Sequence, residues 1–273
     1  TGMRTSNSLI NSVISLILPA RLIAAGMTNA QAMSEIGIAM GMCMPVLTIP
    51  ATLIGSLALV MVPELAENYY RREHTKMRVN LEHALQITTL IACALIPPLF
   101  VLGDEIGILL FSSRQGGEII RNCCFMLLPM SLGMITTSAL NSIGCEKQTC
   151  AFFFAGAAAT LLCVWFLPQI AGIYALLIGM TASSCITMVL NFILLAKKSK
   201  EKVRFQKHTL CSAAAILPAC LFGILLKNVL FRLLPTLPAT LLCGAILAAA
   251  EALFLLALGL AQPRWVKLLF KKS

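Results

Sequence analysis

Charge is what this sequence lacks most. Only 12% of its 273 residues are Asp, Glu, Lys or Arg, while 59% are hydrophobic; soluble domains carry about 25% charged residues. Such a chain cannot cover a water-facing surface, which excludes a soluble enzyme, a disordered chain and a collagen-like one. Acidic residues are the scarcer sign, with 11 Asp+Glu against 21 Lys+Arg, a net +10. In a soluble protein that excess would suggest nucleic acid. Here no nucleic-acid partner is expected, and the question becomes which side of a bilayer holds the basic residues.

Catalytic signatures are absent too. There is no Gly-x-Ser-x-Gly, no phosphate loop, no His-Glu-x-x-His, and no paired carboxylates beyond Asp104–Glu105 at a helix end. The reading is of a protein that is not an enzyme and has no ATPase domain. A transporter of this kind would run on an ion gradient, on membrane potential or on its substrate's own gradient. Eleven cysteines sound like a disulfide scaffold, but Cys43, Cys93, Cys163, Cys185, Cys220 and Cys243 sit inside apolar runs, where Cys behaves as a small hydrophobe. No Cys-x-x-Cys spacing occurs, so no metal, no cofactor and no structural disulfide are expected. The chain opens Thr-Gly-Met without a charged n-region and cleavage site, and it reads as a piece of a longer protein.

What is abundant is long apolar runs. A crossing helix needs about 20 mostly apolar residues. Such runs fall at 8–26, 36–62, 84–111, 119–143, 149–167, 171–196, 209–231 and 236–260. This predicts an all-α polytopic membrane protein of about eight spans, with both ends on one side. The loops of that side hold 16 of the 21 basic residues; Arg21, Arg114, Arg121, Lys227 and Arg232 are the other five. The positive-inside rule then puts both ends in the cytoplasm. Pro45, Pro50 and the pair Pro97–Pro98 predict bends in the second and third spans. Segment 63–83 is too polar to span and is expected to form a helical elbow on the inner leaflet. Segment 197–208, KKSKEKVRFQKH, is expected to meet anionic membrane lipids. His74, His83 and His208 fall in these two segments and read as solvated.

Polar residues inside the spans are the candidate site. Asn7, Asn11 and Ser15 recur every fourth residue in the first span, and Thr48, Thr52 and Ser56 do so in the second, so each set stacks on one helical face. The two stripes either line a shared hydrophilic cavity or hold helices together. Arg21, after Pro19, either snorkels to the interface or faces an anionic group such as a phosphate. Glu251 stands alone in the last span, as a proton or cation site or as a packing hydrogen bond. Asn141 and Asn191 read as caps or interhelical bonds.

Several stretches carry a resemblance. GMCMPVLTIPATLIGSLALVMVPELAE (41–67), LILPARLIAAGMTNAQA (16–32), SALNSIGCEKQ (138–148) and LPQIAGIYALLIG (167–179) run through nearly the whole chain. They resemble the polysaccharide-exporter branch of the multidrug/oligosaccharidyl-lipid/polysaccharide superfamily, and within it the stage V sporulation protein B group. The likeness begins at that family's seventh helix. It implies the second six-helix lobe (1–196), a basic connector (197–208) and two extra helices with a basic tail (209–273) of a fourteen-helix flippase, with an N-terminal lobe missing. It further implies alternating access, a cavity lined partly by the two striped helices, and a lipid-linked oligosaccharide or peptidoglycan precursor moved from inner to outer leaflet for the spore cortex. The related lipid II flippases carry an arginine on the eighth helix, whereas positions 36–62 here hold no basic residue. Two alternatives stand beside this one: a cation-coupled multidrug exporter of the same superfamily, and a non-transporting scaffold for peptidoglycan synthases.

Overall fold

The computed structural model describes residues 2–198 and 205–257, and the side chains of all of these except 2–7, 57, 59, 74, 205–211 and 213. The described chain is helical throughout. Helix α1 spans Gly2–Ala24, and α2 (Asn29–Ile36) passes through a π-helical stretch, Gly37–Cys43, into α3 (Met44–Tyr70). Next come α4 (His74–Phe111) and α5 (Arg114–Cys123), then a 3₁₀ turn, Cys124–Met126, that leads into α6 (Leu127–Ser142). The remainder is α7 (Glu146–Phe166), the short α8 (Pro168–Ala171), α9 (Tyr174–Lys198), α10 (Phe205–Leu233) and α11 (Thr236–Ala257). Seven helical rods are long and apolar enough to cross a membrane, and Ser8–Ala24 is an eighth, shorter apolar helix. The protein is an all-α polytopic membrane protein.

Local chemistry sets the rod ends. Thr28 caps α2 in a full capping box with Gln31, so two orphan donors are satisfied reciprocally. Ser113 caps α5 by accepting from the Gly116 N–H. The π stretch ends where Pro45 begins α3, and the Met44 N–H bonds Ala39 O, five residues back. A proline ring crowds the preceding turn, and the wider turn lies where that crowding falls. Helix α4, by contrast, runs unbroken through Pro97–Pro98.

The elbow expected over 63–83 is not a separate surface element. It is the continuation of α3 to Tyr70 and the start of α4 at His74, joined by a three-residue turn. Arg72 takes a left-handed φ of 60° there. Lys76 hydrogen-bonds Glu73 and holds its carboxyl below the usual carboxylate range. His83, expected in a loop, lies within α4 and is half-buried; the helix simply begins nine residues before it. The side chains of His74 and His208 lie outside the described residues, as do most of the basic connector and the tail.

Helix α4 is the hub, packing against α3, α5, α6, α10 and α11, while α7 pairs with α9 and α9 with α6. Close approach is set by missing side chains. A Cβ on Gly107 would overlap the Gly117 backbone, and one on Gly117 would lie 2.5 Å from the Asp104 Cα. Across α7 and α9, a Cβ on Gly156 would meet Ser183 Oγ at 2.5 Å. In lipid, where water does not drive helices together, such small-residue contacts supply the van der Waals packing. Turns alternate between the two ends of the bundle. A Cβ on Gly144 in the α6–α7 turn would lie 3.8 Å from the Tyr70 hydroxyl beside the α3–α4 turn. At the other end, Gly172 before α9 approaches Met27 after α1.

Candidate functional site

Helix α1 lies at the edge of the bundle, packed chiefly on α7, α2 and α8. Asn11 and Ser15 are exposed on it. The side chain of Asn7 lies outside the described residues. On α3, Thr52 and Ser56 are exposed and Thr48 is half-buried. Each hydroxyl turns back to its own helix: Ser15 to Asn11 O at 2.8 Å, Thr48 to Pro45 O at 3.2 Å, Thr52 to Ile49 O at 2.7 Å, and Ser56 to Leu53 O at 2.6 Å. No hydrogen bond joins the α1 stripe to the α3 stripe among the described residues. Both point away from the packed core.

Arg21 lies at the end of the bundle where α1 meets α7, on a different face of α1 from Asn11 and Ser15. Its Nε donates to the Trp165 carbonyl at 2.9 Å, and its guanidinium stands 4.6 Å from the Trp165 ring centroid. Trp165 lies in the last turn of α7, where the carbonyls are orphaned and the helix dipole favours a cation. One face of the arginine is therefore committed to holding α1 against α7. Its two terminal amines bond no described residue and remain available as donors, in the fork that suits a phosphate or carboxylate.

Glu251 does not face lipid. It is 2% exposed, on the side of α11 that packs against α4 and α10, and its Oε1 has no hydrogen-bond partner. Its carboxyl lies within electrostatic reach of the Cys93 thiol on α4 and the Cys220 thiol on α10. Among the described residues no three His, Cys, Asp or Glu side chains gather as metal ligands, and the ten described cysteines are free. Of the six cysteines read as core hydrophobes, Cys43, Cys93, Cys220 and Cys243 are buried; Cys163 and Cys185 are half-buried.

Several other intramembrane polar groups find partners across helices, whereas the buried hydroxyls of Thr88 and Ser131 find none among the described residues. Asn191 on α9 is fully buried and donates to Thr137 Oγ1 at 2.8 Å and Thr136 Oγ1 at 3.2 Å on α6. Thr149 on α7 donates to Asn141 Oδ1 at 2.6 Å. Both asparagines are interhelical bonds, as expected. Two ion pairs escaped sequence reading because their partners are remote: Arg121 with Asp104 at 3.0 Å, and Lys227 with Glu105 at 2.7 Å. The Asp104–Glu105 pair on α4 is thus shared between α5 and α10. The only hint in the sequence was one acidic couple and the five cations that fall outside the basic loops.

At the α3–α4 turn, a cleft of about 430 Å³ is lined by Glu64, Glu67, Arg71, Glu73 and Lys76. Its charges are paired among themselves, Arg71 with Glu67 and Lys76 with Glu73, each at 2.8 Å. It offers a ligand little.

No protein-family model matches the chain. Over 88 residues it is 26% identical to sporulation protein YkvU of Bacillus subtilis (strain 168), a stretch covering 32% of this chain and 20% of that protein. The likeness spans a fifth of its relative's length.

Proposed function

We propose that the chain is part of a flippase that carries a lipid-linked oligosaccharide or peptidoglycan precursor across the bacterial cytoplasmic membrane during sporulation. The observation that carries this reading is the pair of outward-facing polar rows on α1 and α3, with Arg21 on the α7-facing side of α1. A carboxamide such as Asn11, exposed on an apolar helix and bonded to no described residue, is costly against lipid. It suits a water-filled path or the face of another lobe. The free amines of Arg21 suit the phosphate of a lipid-linked sugar. The similarity to a sporulation protein supports the setting. Eight alternating helices with most basic residues at one end support cytoplasmic placement of both ends. On this reading the partners are the lipid-linked precursor, anionic lipids and a further N-terminal lobe that completes the cavity.

The test is complementation in a sporulating host that lacks the protein. Arg21→Ala should leave the protein in the membrane, let the lipid-linked precursor accumulate on the inner leaflet and block cortex formation. Arg21→Lys keeps a cation but not the bidentate fork, and should restore function only in part. Normal cortex and no precursor accumulation with Arg21→Ala would sink the reading.

A second reading, a cation-coupled multidrug exporter, is favoured by one observation, the buried carboxyl of Glu251. It predicts that dissipating the sodium or proton gradient stops export of a cationic dye.

A further inference from the structure

Helix α4 carries two adjacent prolines, and their consequence falls on one atom. In an α-helix the carbonyl of residue 93 accepts from the N–H of residue 97, and in a π turn from that of residue 98. Both positions are proline here and neither has an N–H. The Cys93 carbonyl is therefore deprived of its α donor and of its π donor together. Pro98 likewise removes the α donor of Ala94. Cys93 is 0% exposed and Ala94 9%, so water does not replace what is missing. Inside a membrane a freed carbonyl needs a donor from the protein.

Glu251 is a polar side chain on α11, the helix that packs against α4. It is buried, its Oε1 is unpartnered, and it lies within electrostatic reach of Cys93. An ionised carboxylate is an acceptor only and cannot serve a carbonyl; a protonated carboxyl has one O–H to donate. The titratable groups that face Glu251 are the Cys93 thiol from α4 and the Cys220 thiol from α10. On the described part of α11 the only other titratable group is Cys243, two turns away. Among the described residues no cation is seen to pair with it: Lys227 is held at Glu105 and Val101 O. A hard cation would need several oxygen ligands, and one carboxyl among thiols and apolar side chains does not supply them.

We propose that Glu251 is a proton-binding site whose protonated carboxyl donates to the proline-freed carbonyl of Cys93, latching α11 to α4. Proton uptake converts the carboxylate to a carboxylic acid and makes that hydrogen bond; release breaks it and leaves two acceptors facing each other. The latch joins the C-terminal helix pair to the hub helix. It does not depend on which substrate the protein carries.

The test needs no transport assay, so it stands or falls separately from the flippase reading. The protein in its membranes is treated with dicyclohexylcarbodiimide, which adds across the O–H of a protonated carboxyl in an apolar site and is retained whole after rearrangement. Mass spectrometry should find one reagent molecule on Glu251 at mildly acidic pH and much less at alkaline pH. Thermal melts of the detergent-solubilised protein supply the second readout. With the latch, the folded state holds a proton that the unfolded chain releases, so the wild-type midpoint should fall by a few degrees as pH rises. Glu251→Gln keeps an N–H donor at every pH and should melt without that slope. Glu251 unlabelled at both pH values, or equal slopes in wild type and Glu251→Gln, overturns the latch. The labelling needs no variant, so a Glu251→Gln protein that fails to fold leaves it decisive.

Discussion

The hub around α4 and the polar rows on α1 and α3 differ in what their side chains bond. Of the hub spans, Thr75–Phe111 and Arg114–Ser142 are 61% buried, while Asn29–Ser56 is 28% buried. In and around the hub some polar side chains reach another helix, as Asn191 does to Thr137, Lys227 to Glu105 and Arg121 to Asp104, while Thr89, Thr136 and Thr240 bond their own backbone. On the edge, Ser15, Thr52 and Ser56 satisfy themselves on their own backbone. The first pattern holds helices together. The second contributes nothing to packing within this chain, and its residues are explained by whatever lies against that face. The cross-helix bonds therefore build the fold, while the exposed, self-bonded rows are left for something else to meet.

The contrast breaks hardest at the glycines. Gly107→Ala or Gly117→Ala pushes a methyl into the facing backbone of α5 or α4, where nothing flexible can yield. The expected loss is about 3 kcal/mol or more, read as loss of folded, monodisperse protein on size exclusion. Gly37→Ala and Gly41→Ala on the edge meet nothing within 4 Å. They should leave the midpoint unchanged or raise it, by up to about 1 kcal/mol of helix propensity. Equal damage at both sites would show that close approach is not what holds the hub.

The ion pair comes next. Lys227 and Glu105 are 24% and 17% exposed, so removing one partner strands a largely buried charge. Lys227→Met should cost about 2–3 kcal/mol. The double variant Lys227→Met with Glu105→Met should recover most of it, since replacing both members leaves no charge unpaired. Thermal melts of the three variants measure the coupling directly.

The rods and their alternation were legible because they rest on runs of apolar residues, and lipid allows a spanning backbone little besides a helix. Their ends were less so. The helix of the second span extends to Asn29 and Tyr70 because caps and hydrogen bonds continue a helix past its apolar stretch. Asn141 and Asn191 could be read as interhelical bonds, since a buried amide in a span needs a partner, but not which partner. The Asp104 and Glu105 pairings were illegible, because Arg121 and Lys227 lie 17 and 122 residues away. Sequence spacing records only neighbours on one helix. For the same reason the α1 and α3 stripes were visible while their separation was not. The burial of Glu251 was not legible, because it required knowing that α11 packs beside α4.

The smallest effect on stability is also the sharpest test of the comparison. Ser15, Thr52 and Ser56 are exposed and bond only to their own helix, so Ala at each should change stability by less than about 0.5 kcal/mol. What distinguishes a lipid-facing row from a water-lined one is access. Ser15→Cys and Ser56→Cys place a thiol on each row; α1 has no native cysteine, and Cys43, on the span of Ser56, is buried. A membrane-impermeant, water-soluble maleimide should label both new thiols above the background of the native cysteines if the rows line a hydrophilic path. Asn11→Leu combined with Thr52→Leu should then abolish function while the melting midpoint stays put, because the substitutions dry the path without touching the hub. If only a lipophilic maleimide reaches Ser15→Cys and Ser56→Cys, the rows face hydrocarbon. Their self-satisfied hydroxyls would then be tolerated passengers on the helix surface, and the edge would have lost its claim to the site.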